Sequence, residues 1–280
     1  MLSVVRRAAV FAALICVPVV AASPQQQPGA RPQGSDDYKP PARFIAPQPA
    51  PNAQKPAPAR KADAATKTIG LISIVGEKFS VKRIGMTVFG NEEDKFPIPG
   101  WKIDDRTAAA TTRILQKNFN IKRIQIPAGA FQAFRDGNFI FKSFEAELAK
   151  FVAKYTAGQN CDYYLLISPG YSAISNTNQG IYGLGVVRWD HIFNPGEYVH
   201  ALSMMTVYDA KMVQIRSEFA TIGQETFMVA VKGPHQELKE GSKLPPEAKG
   251  TVADPRAQKI AWELLEQSLA KTLPKLFASN

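Results

Sequence analysis

The sequence predicts an α/β fold of the α+β type: a mixed sheet with a β-α-β crossover, antiparallel C-terminal strands and a packing C-terminal helix, all in one domain. Two observations carry this prediction. In the first half of the folded region, helical and strand-like segments alternate with short links, which is typical of a parallel crossover. In the second half, three strand-like segments follow one another and lead to a long amphipathic helix.

The first 22 residues have the pattern of a secretory signal peptide. Arg6 and Arg7 form a basic start, residues 8–20 are apolar, and Val20 and Ala22 suit a signal-peptidase site. The apolar run is shorter than the roughly 20 residues that cross a bilayer comfortably. We therefore expect a periplasmic or secreted protein, and an uncleaved inner-membrane anchor is the alternative interpretation.

Residues 23–66 form a proline-rich linker with almost no large apolar side chains. Such a segment buries too little surface to offset its ordering entropy, so we expect it to stay extended. Residues 67–280 are long enough for a single globular domain with its own core. The formal charge of +10 favours anionic neighbours. Because the basic residues are scattered, no nucleic-acid partner is predicted, and membrane contact would be only peripheral.

The folded region opens with two β-rich segments, 68–75 and 78–90. The two residues between them, Gly76 and Glu77, predict a hairpin. The acids, prolines and glycine of residues 91–100 predict a loop.

Alternating helices and strands follow this loop. Asp104 or Asp105 is expected to cap the first helix, and Gly158 to end the second. The predicted segments are a helix over 104–119, a strand over 121–127, a helix over 143–158 and a strand over 161–168.

The second half predicts antiparallel strands and then a helix. The last two strands are joined by a short turn at residues 209–211. Asp254 is the expected N-cap of the final helix, with Pro255 at its first position. The predicted segments are strands over 180–189, 198–209 and 212–223, a polar loop over 232–253 and a helix over 254–273.

Cys161 is the single cysteine outside the signal peptide. A nucleophilic thiol needs a nearby base or cation that lowers its pKa, and the three histidines lie far away in sequence without a supporting motif. Free cysteine is otherwise a common core residue. We expect Cys161 to pack in the core.

Four residues define an alternative function, an exported metal-dependent or acid/base hydrolase: Asp104, Asp105, Asp190 and His191. Paired carboxylates can serve hydrolysis, but two aspartates at a helix start also serve as caps. Asp190 and His191 are neighbours, and adjacent residues on a strand point to opposite faces. No metal-ligand spacing such as H-E-x-x-H occurs, so no metal or cofactor is predicted.

Residues 143–220 resemble a periplasmic α/β family that includes the TolB N-terminal domain, the curli secretion channel and the lipoprotein activator of penicillin-binding proteins. The segment GQNCDYYLLISPG is similar to that family's "GADYLL.G" strand, with Cys161 in place of a small residue. The segment TVYDAKMVQI is similar to its "lvD..tG.i" turn, with Lys211 and Met212 around the usual glycine. The resemblance implies an envelope accessory domain without catalytic residues.

The prediction for function is therefore a non-catalytic accessory or binding domain of the cell envelope. Its expected partner is an envelope protein or a cell-wall component. Aromatic residues and arginine are favoured anchors at interfaces. The candidate binding residues are Tyr171, Tyr182, Arg188 and Trp189.

Overall fold

The computed structural model describes residues 66–85, 90–137, 143–174, 179–189, 196–222 and 233–278. The predicted signal peptide, all but the last residue of the predicted linker, and the pair Asp190 and His191 lie outside these ranges. Within them, no helix combines the length and apolarity that crossing a bilayer requires.

The described residues contain both helices and strands in similar amounts, which confirms the predicted α+β class. The strands are β1 (Thr68–Ser73), β2 (Lys78–Ile84), β3 (Glu92–Pro97), β4 (Asn120–Arg123), β5 (Tyr163–Pro169), β6 (Tyr171–Ala173), β7 (Gly180–Tyr182), β8 (Leu184–Trp189), β9 (Gly196–Ala201), β10 (Ser203–Asp209), β11 (Gln214–Phe219) and β12 (His235–Glu237). The α-helices are α1 (Ile103–Leu115), α2 (Ala130–Arg135), α3 (Phe144–Thr156), α4 (Ala248–Ala253) and α5 (Pro255–Phe277).

The first sheet has the order β11-β10-β5-β1-β4. Strand β1 lies inside this sheet and pairs in parallel with β4 on one side and β5 on the other. The chain passes from β1 to β4 through β2, β3 and α1, and from β4 to the parallel strand β5 through α2 and α3. The predicted β-α-β crossover is therefore confirmed. Antiparallel pairing of β10 with β5 and with β11 completes the sheet.

The second sheet has the order β12-β9-β8-β2-β3, and it overturns two predictions. The hairpin between the first two segments is wrong, because β1 and β2 belong to different sheets. The predicted loop at 91–100 is also wrong over β3, which pairs antiparallel with β2. This edge strand is mostly exposed. Its backbone needs only one partner strand and no apolar face, so charged side chains suit it.

Two predicted strands are each divided in the structure. Leu202 separates β9 from β10, and the chain changes sheets at this residue. Gly183 separates β7 from β8 with a φ of +62°, a conformation that glycine adopts without a steric penalty. Periodicity missed both breaks because the apolar pattern continues through them. The short strands β6 and β7 form a separate two-stranded sheet.

The predicted turn between β10 and β11 is confirmed. The Asp209 carboxylate accepts hydrogen bonds from the backbone N–H groups of Lys211 at 2.8 Å and Val213 at 2.9 Å. Met212 takes the left-handed conformation with a φ of +63°. By contrast, the predicted polar loop at 232–253 contains β12 and α4.

The largest core combines residues of both five-stranded sheets with the buried faces of α1 and α5. The Asp254 side chain accepts from the backbone N–H of Arg256 at 2.9 Å, which confirms it as the N-cap of α5. The helix packs its predicted stripe inward. Its buried members are Ala261, Leu264, Leu265, Ser268 and Leu269, and Ile260 is partly buried.

The opposite face of the first sheet carries a second core, covered by α3. Ser143 caps this helix, and Gly158 follows it with a φ of +74°, as predicted. Helices therefore pack on both faces of the first sheet. The carboxyl ends of β1 and β4 meet the start of α1 and α2.

Candidate functional site

A cavity of about 640 Å³ lies at the carboxyl ends of β1 and β4. In open α/β sheets, ligands bind in the crevice outside these strand ends. Apolar and polar side chains share the wall. The apolar ones include Ile74, Pro97, Pro99, Ile124 and Ile126, and the charged ones are Glu77, Lys78, Asp104, Arg123 and Asp136.

Asp104 is the most deeply placed acid of this cavity, and it does not cap α1 as predicted. The N-cap is Lys102, which has a φ of +51° and no side-chain cap bond. The Oδ1 atom of Asp104 instead accepts from Ser73 Oγ at 2.7 Å, from Val75 N at 2.8 Å and from Gly76 N at 3.2 Å. The aspartate lies in the first helical turn, two residues beyond the N-cap, and its side chain reaches the loop after β1.

Burial raises the pKa of Asp104 above its ordinary value. The three hydrogen bonds and the nearby charge of Arg123 act in the opposite direction but do not cancel the loss of solvation. Among the described residues, the hydrogen-bond donors to this carboxylate all bind Oδ1. Oδ2 has no such donor among them.

Glu77 is a second acid of the cavity, which the sequence analysis missed. Its carboxylate accepts hydrogen bonds from Gly129 N at 3.0 Å and from Gln132 N at 3.1 Å. These two bonds hold the start of α2 against the loop after β1. Burial is the main cause that raises the pKa of Glu77, and the charge of Asp104 raises it further. No local sequence pattern indicated that Glu77 binds the start of α2, because the pair Gly76 and Glu77 is typical of a turn.

Asp105 points away from Asp104. It is exposed and forms an ion pair with Arg123. The two described acids of the alternative hydrolase therefore do not share one site, and the other two members, Asp190 and His191, lie outside the described residues. Across the described ranges, His, Cys, Asp and Glu side chains form no group of three or more that could hold a metal ion.

A second cavity of about 130 Å³ adjoins the first, and Glu77 and Gln132 line both. Tyr182 lines its far side, with the guanidinium of Arg135 stacked over the ring. Burial raises the pKa of Tyr182 to about 12. Tyr182 is thus part of a cavity wall rather than of a flat exposed surface.

The other predicted binding residues differ in their exposure. Tyr171 is 61% exposed and pairs with Tyr182 across the two strands β6 and β7. Trp189 is partly buried and packs against a small third core. The predicted patch therefore has one exposed ring, Tyr171, and two that contribute to packing.

Arg188, the fourth of these residues, forms an ion pair and hydrogen bonds with other residues of the same chain. Its guanidinium pairs with Glu197 at 3.1 Å, and the two side chains are only 14% and 6% exposed. It also donates to the carbonyl oxygens of Pro245 at 2.6 Å and Pro246 at 2.8 Å and to Thr251 Oγ1 at 2.8 Å. These bonds tie the segment before α4 to the second sheet.

Cys161 is 5% exposed and belongs to the second core, with Tyr164, Leu166 and Val152 among its neighbours. Burial raises the pKa of its thiol. A buried thiol with a raised pKa is a poor nucleophile. The structure thus agrees with the packing role that the sequence predicted.

No family model matches the sequence, and no curated protein matches it. Among solved structures, the chain has some similarity to protein XCC0632 from Xanthomonas campestris, of the family DUF330. The sequence identity is 8%, the TM-score is 0.28, and the alignment covers 74% of this chain and 80% of that chain. A TM-score of this size supports no conclusion about fold or function.

Proposed function

We propose that the protein is an exported, non-catalytic accessory domain of the cell envelope that binds an envelope component in the cavity at the carboxyl ends of β1 and β4. The single observation that carries the binding site is this cavity itself. It combines a volume of about 640 Å³, apolar walls and two partly desolvated carboxylates. A concave, largely apolar site with a few convergent polar groups is typical of ligand binding.

Export is supported by the sequence pattern of the first 22 residues, and the accessory role by the resemblance of residues 143–220 to the TolB-like periplasmic family. A binding function also fits the observed acids. Asp104 and Glu77 are each engaged by backbone N–H groups, so both are held in place as parts of a preformed wall.

Site-specific photo-crosslinking in cells tests this proposal. A benzoyl-phenylalanine at Ala133, an exposed residue of α2 that lines the cavity, is expected to capture an envelope component on irradiation. The matched control is the same residue at Ala109, which is exposed on α1 and does not line the cavity.

Two results would contradict the proposal. One is equal capture from both positions, which would show contact without a site. The other is the absence of any crosslinked product at Ala133 in cells that export the protein normally.

A further inference from the structure

We propose that the cavity at the carboxyl ends of β1 and β4 selects a ligand that joins an apolar body to a protonated amine, with the ammonium group on Asp104. This inference rests on the proposed function, because it takes that cavity as the binding site.

The apolar half of the site is formed by side chains from three parts of the chain. Ile74 follows β1, Ile124 and Ile126 follow β4, and Pro97 and Pro99 lie at and after the end of β3. These groups offer no hydrogen bonds from their side chains. A ligand gains affinity here by removing apolar surface from water.

The polar half centres on Oδ2 of Asp104. Since the described donors to this carboxylate all bind Oδ1, we assign the second oxygen to the ligand. Oδ2 lies beside Gly76, another residue of the cavity wall, because a Cβ at this position would stand 3.1 Å from Oδ2. An ammonium group donates hydrogen bonds to the carboxylate and brings a positive counter-charge. Both effects stabilise the ionised form of a carboxylate that has lost its hydration.

The charges around the cavity favour a cation over an anion. The wall carries three acids, Glu77, Asp104 and Asp136, against two basic side chains. One of the two, Arg123, acts on Asp104 but is also paired with Asp105, and the other is Lys78. A carboxylate or phosphate ligand would instead face the carboxylates of Asp104 and Glu77, and the charge of Asp104 already raises the pKa of Glu77. Like charges in a partly buried site are costly.

The test is a titration of the full chain with three probes of equal length, followed by NMR chemical-shift changes at pH 7. The probes are n-hexylamine, n-hexanol and hexanoate. We expect n-hexylamine to bind at least about ten-fold more tightly than n-hexanol, and hexanoate to bind most weakly. The Ala133→Trp variant should block all three probes, and Ala109→Trp should block none.

Variants separate the carboxylate from the apolar wall. Asp104→Asn should lower n-hexylamine affinity to that of n-hexanol and leave n-hexanol unchanged. Asp94→Asn, which removes an exposed acid of β3 outside the cavity, should change neither. Should Asp104→Asn fail to fold, Glu77→Gln serves instead, and it should reduce the preference for the amine several-fold.

The outcomes distinguish this inference from the proposed function. Equal binding of n-hexylamine and n-hexanol, blocked by Ala133→Trp, would overturn the selection of amines and leave the binding cavity in place. Tighter binding of hexanoate would overturn the inference in the same way. Failure of all three probes together with crosslinking at Ala133 would overturn only the inference, whereas failure of both experiments would overturn the proposed function as well.

Discussion

The guanidinium carbon of Arg135 lies 3.6 Å from the centre of the Tyr182 ring. This stacking joins the last residue of α2 to the last residue of β7, two elements that are far apart in sequence. At the other end of α2, the Glu77 carboxylate accepts hydrogen bonds from the backbone N–H groups of Gly129 and Gln132. The short helix between the two cavities is therefore fixed at both ends.

Replacing Arg135 with alanine should destabilise the fold by about 1 kcal/mol, because a partly buried cation–π contact contributes about 0.5–2 kcal/mol. Urea unfolding measures the change. Arg135→Lys keeps the charge but loses the planar stacking, and it should restore only part of the loss. An Arg135→Ala protein as stable as the wild type would show that the contact does not hold α2.

Breaking the buried ion pair of Arg188 and Glu197 should destabilise the fold more than loss of the contact between Arg135 and Tyr182. Glu197→Gln leaves the guanidinium without its counter-charge in a site where both side chains are nearly covered, so we expect a loss of about 3 kcal/mol in the free energy of unfolding. The matched control is Glu263→Gln at the exposed pair with Lys259, where the expected change is under about 0.5 kcal/mol. Similar losses in the two variants would contradict the structural role assigned to Arg188.

The Cys161 thiol should resist modification in the native protein. Since it is buried and burial raises its pKa, its reaction with a disulfide reagent should be slower than in urea by on the order of a hundred-fold or more. Absorbance of the released thiolate follows the reaction in the chain that has lost its first 22 residues. Rapid labelling without denaturant would show that Cys161 is accessible and would reopen a chemical role for it.

His200 should make stability depend on pH between about 6.5 and 4. The side chain is fully buried, its Nδ1 donates to the Gly183 carbonyl at 2.9 Å, and desolvation lowers its pKa to about 4. As the pH falls below 6.5, His200 binds a proton in the unfolded chain but stays neutral in the folded chain until the pH approaches 4. Stability is therefore lost across this window at up to about 1.4 kcal/mol per pH unit.

The variant His200→Asn isolates this effect, since its amide can still donate to Gly183 but does not titrate. Asp104 and Glu77 have raised pKa values and contribute with the opposite sign, so only the difference between wild type and variant reports on His200. Urea unfolding at intervals between pH 4 and pH 7 gives that difference. Parallel curves for the two proteins would contradict the assignment.

Export predicts a defined mature end. Signal-peptidase cleavage after Ala22 should yield a chain that starts at Ser23 in the periplasmic fraction. Intact-mass measurement identifies this end, and Ala22→Leu should block cleavage. A full-length chain in the membrane fraction of the wild type would favour the anchored alternative.

The sequence predicted the elements whose signals are local. Asp254 as a cap, the turn at Asp209 and the buried stripe that includes Leu265 depend on neighbours in the chain, and all three are confirmed. The assignment of strands to sheets was not predictable in this way. The apolar pattern runs through Leu202 without interruption, and only the tertiary packing of two sheets divides it.

The candidate site was less predictable than the fold. Asp104 was predicted as a helix cap, but it lies two residues beyond the N-cap, where its carboxylate meets the preceding loop instead of its own helix. Glu77 was missed because its partners, Gly129 and Gln132, are more than 50 residues away. Local patterns contain no information about such contacts.

The position of β1 between two parallel partner strands determines how the domain responds to force. The chain enters this strand at Thr68, and β1 is hydrogen-bonded in parallel to a strand on each side. Force applied through the chain that precedes β1 would shear the hydrogen bonds of β1 with β4 and with β5 simultaneously. It would not break these bonds one after another. Forced unfolding is governed by the unfolding rate, so this domain should withstand pulling through its amino end better than peeling through the edge strand β11.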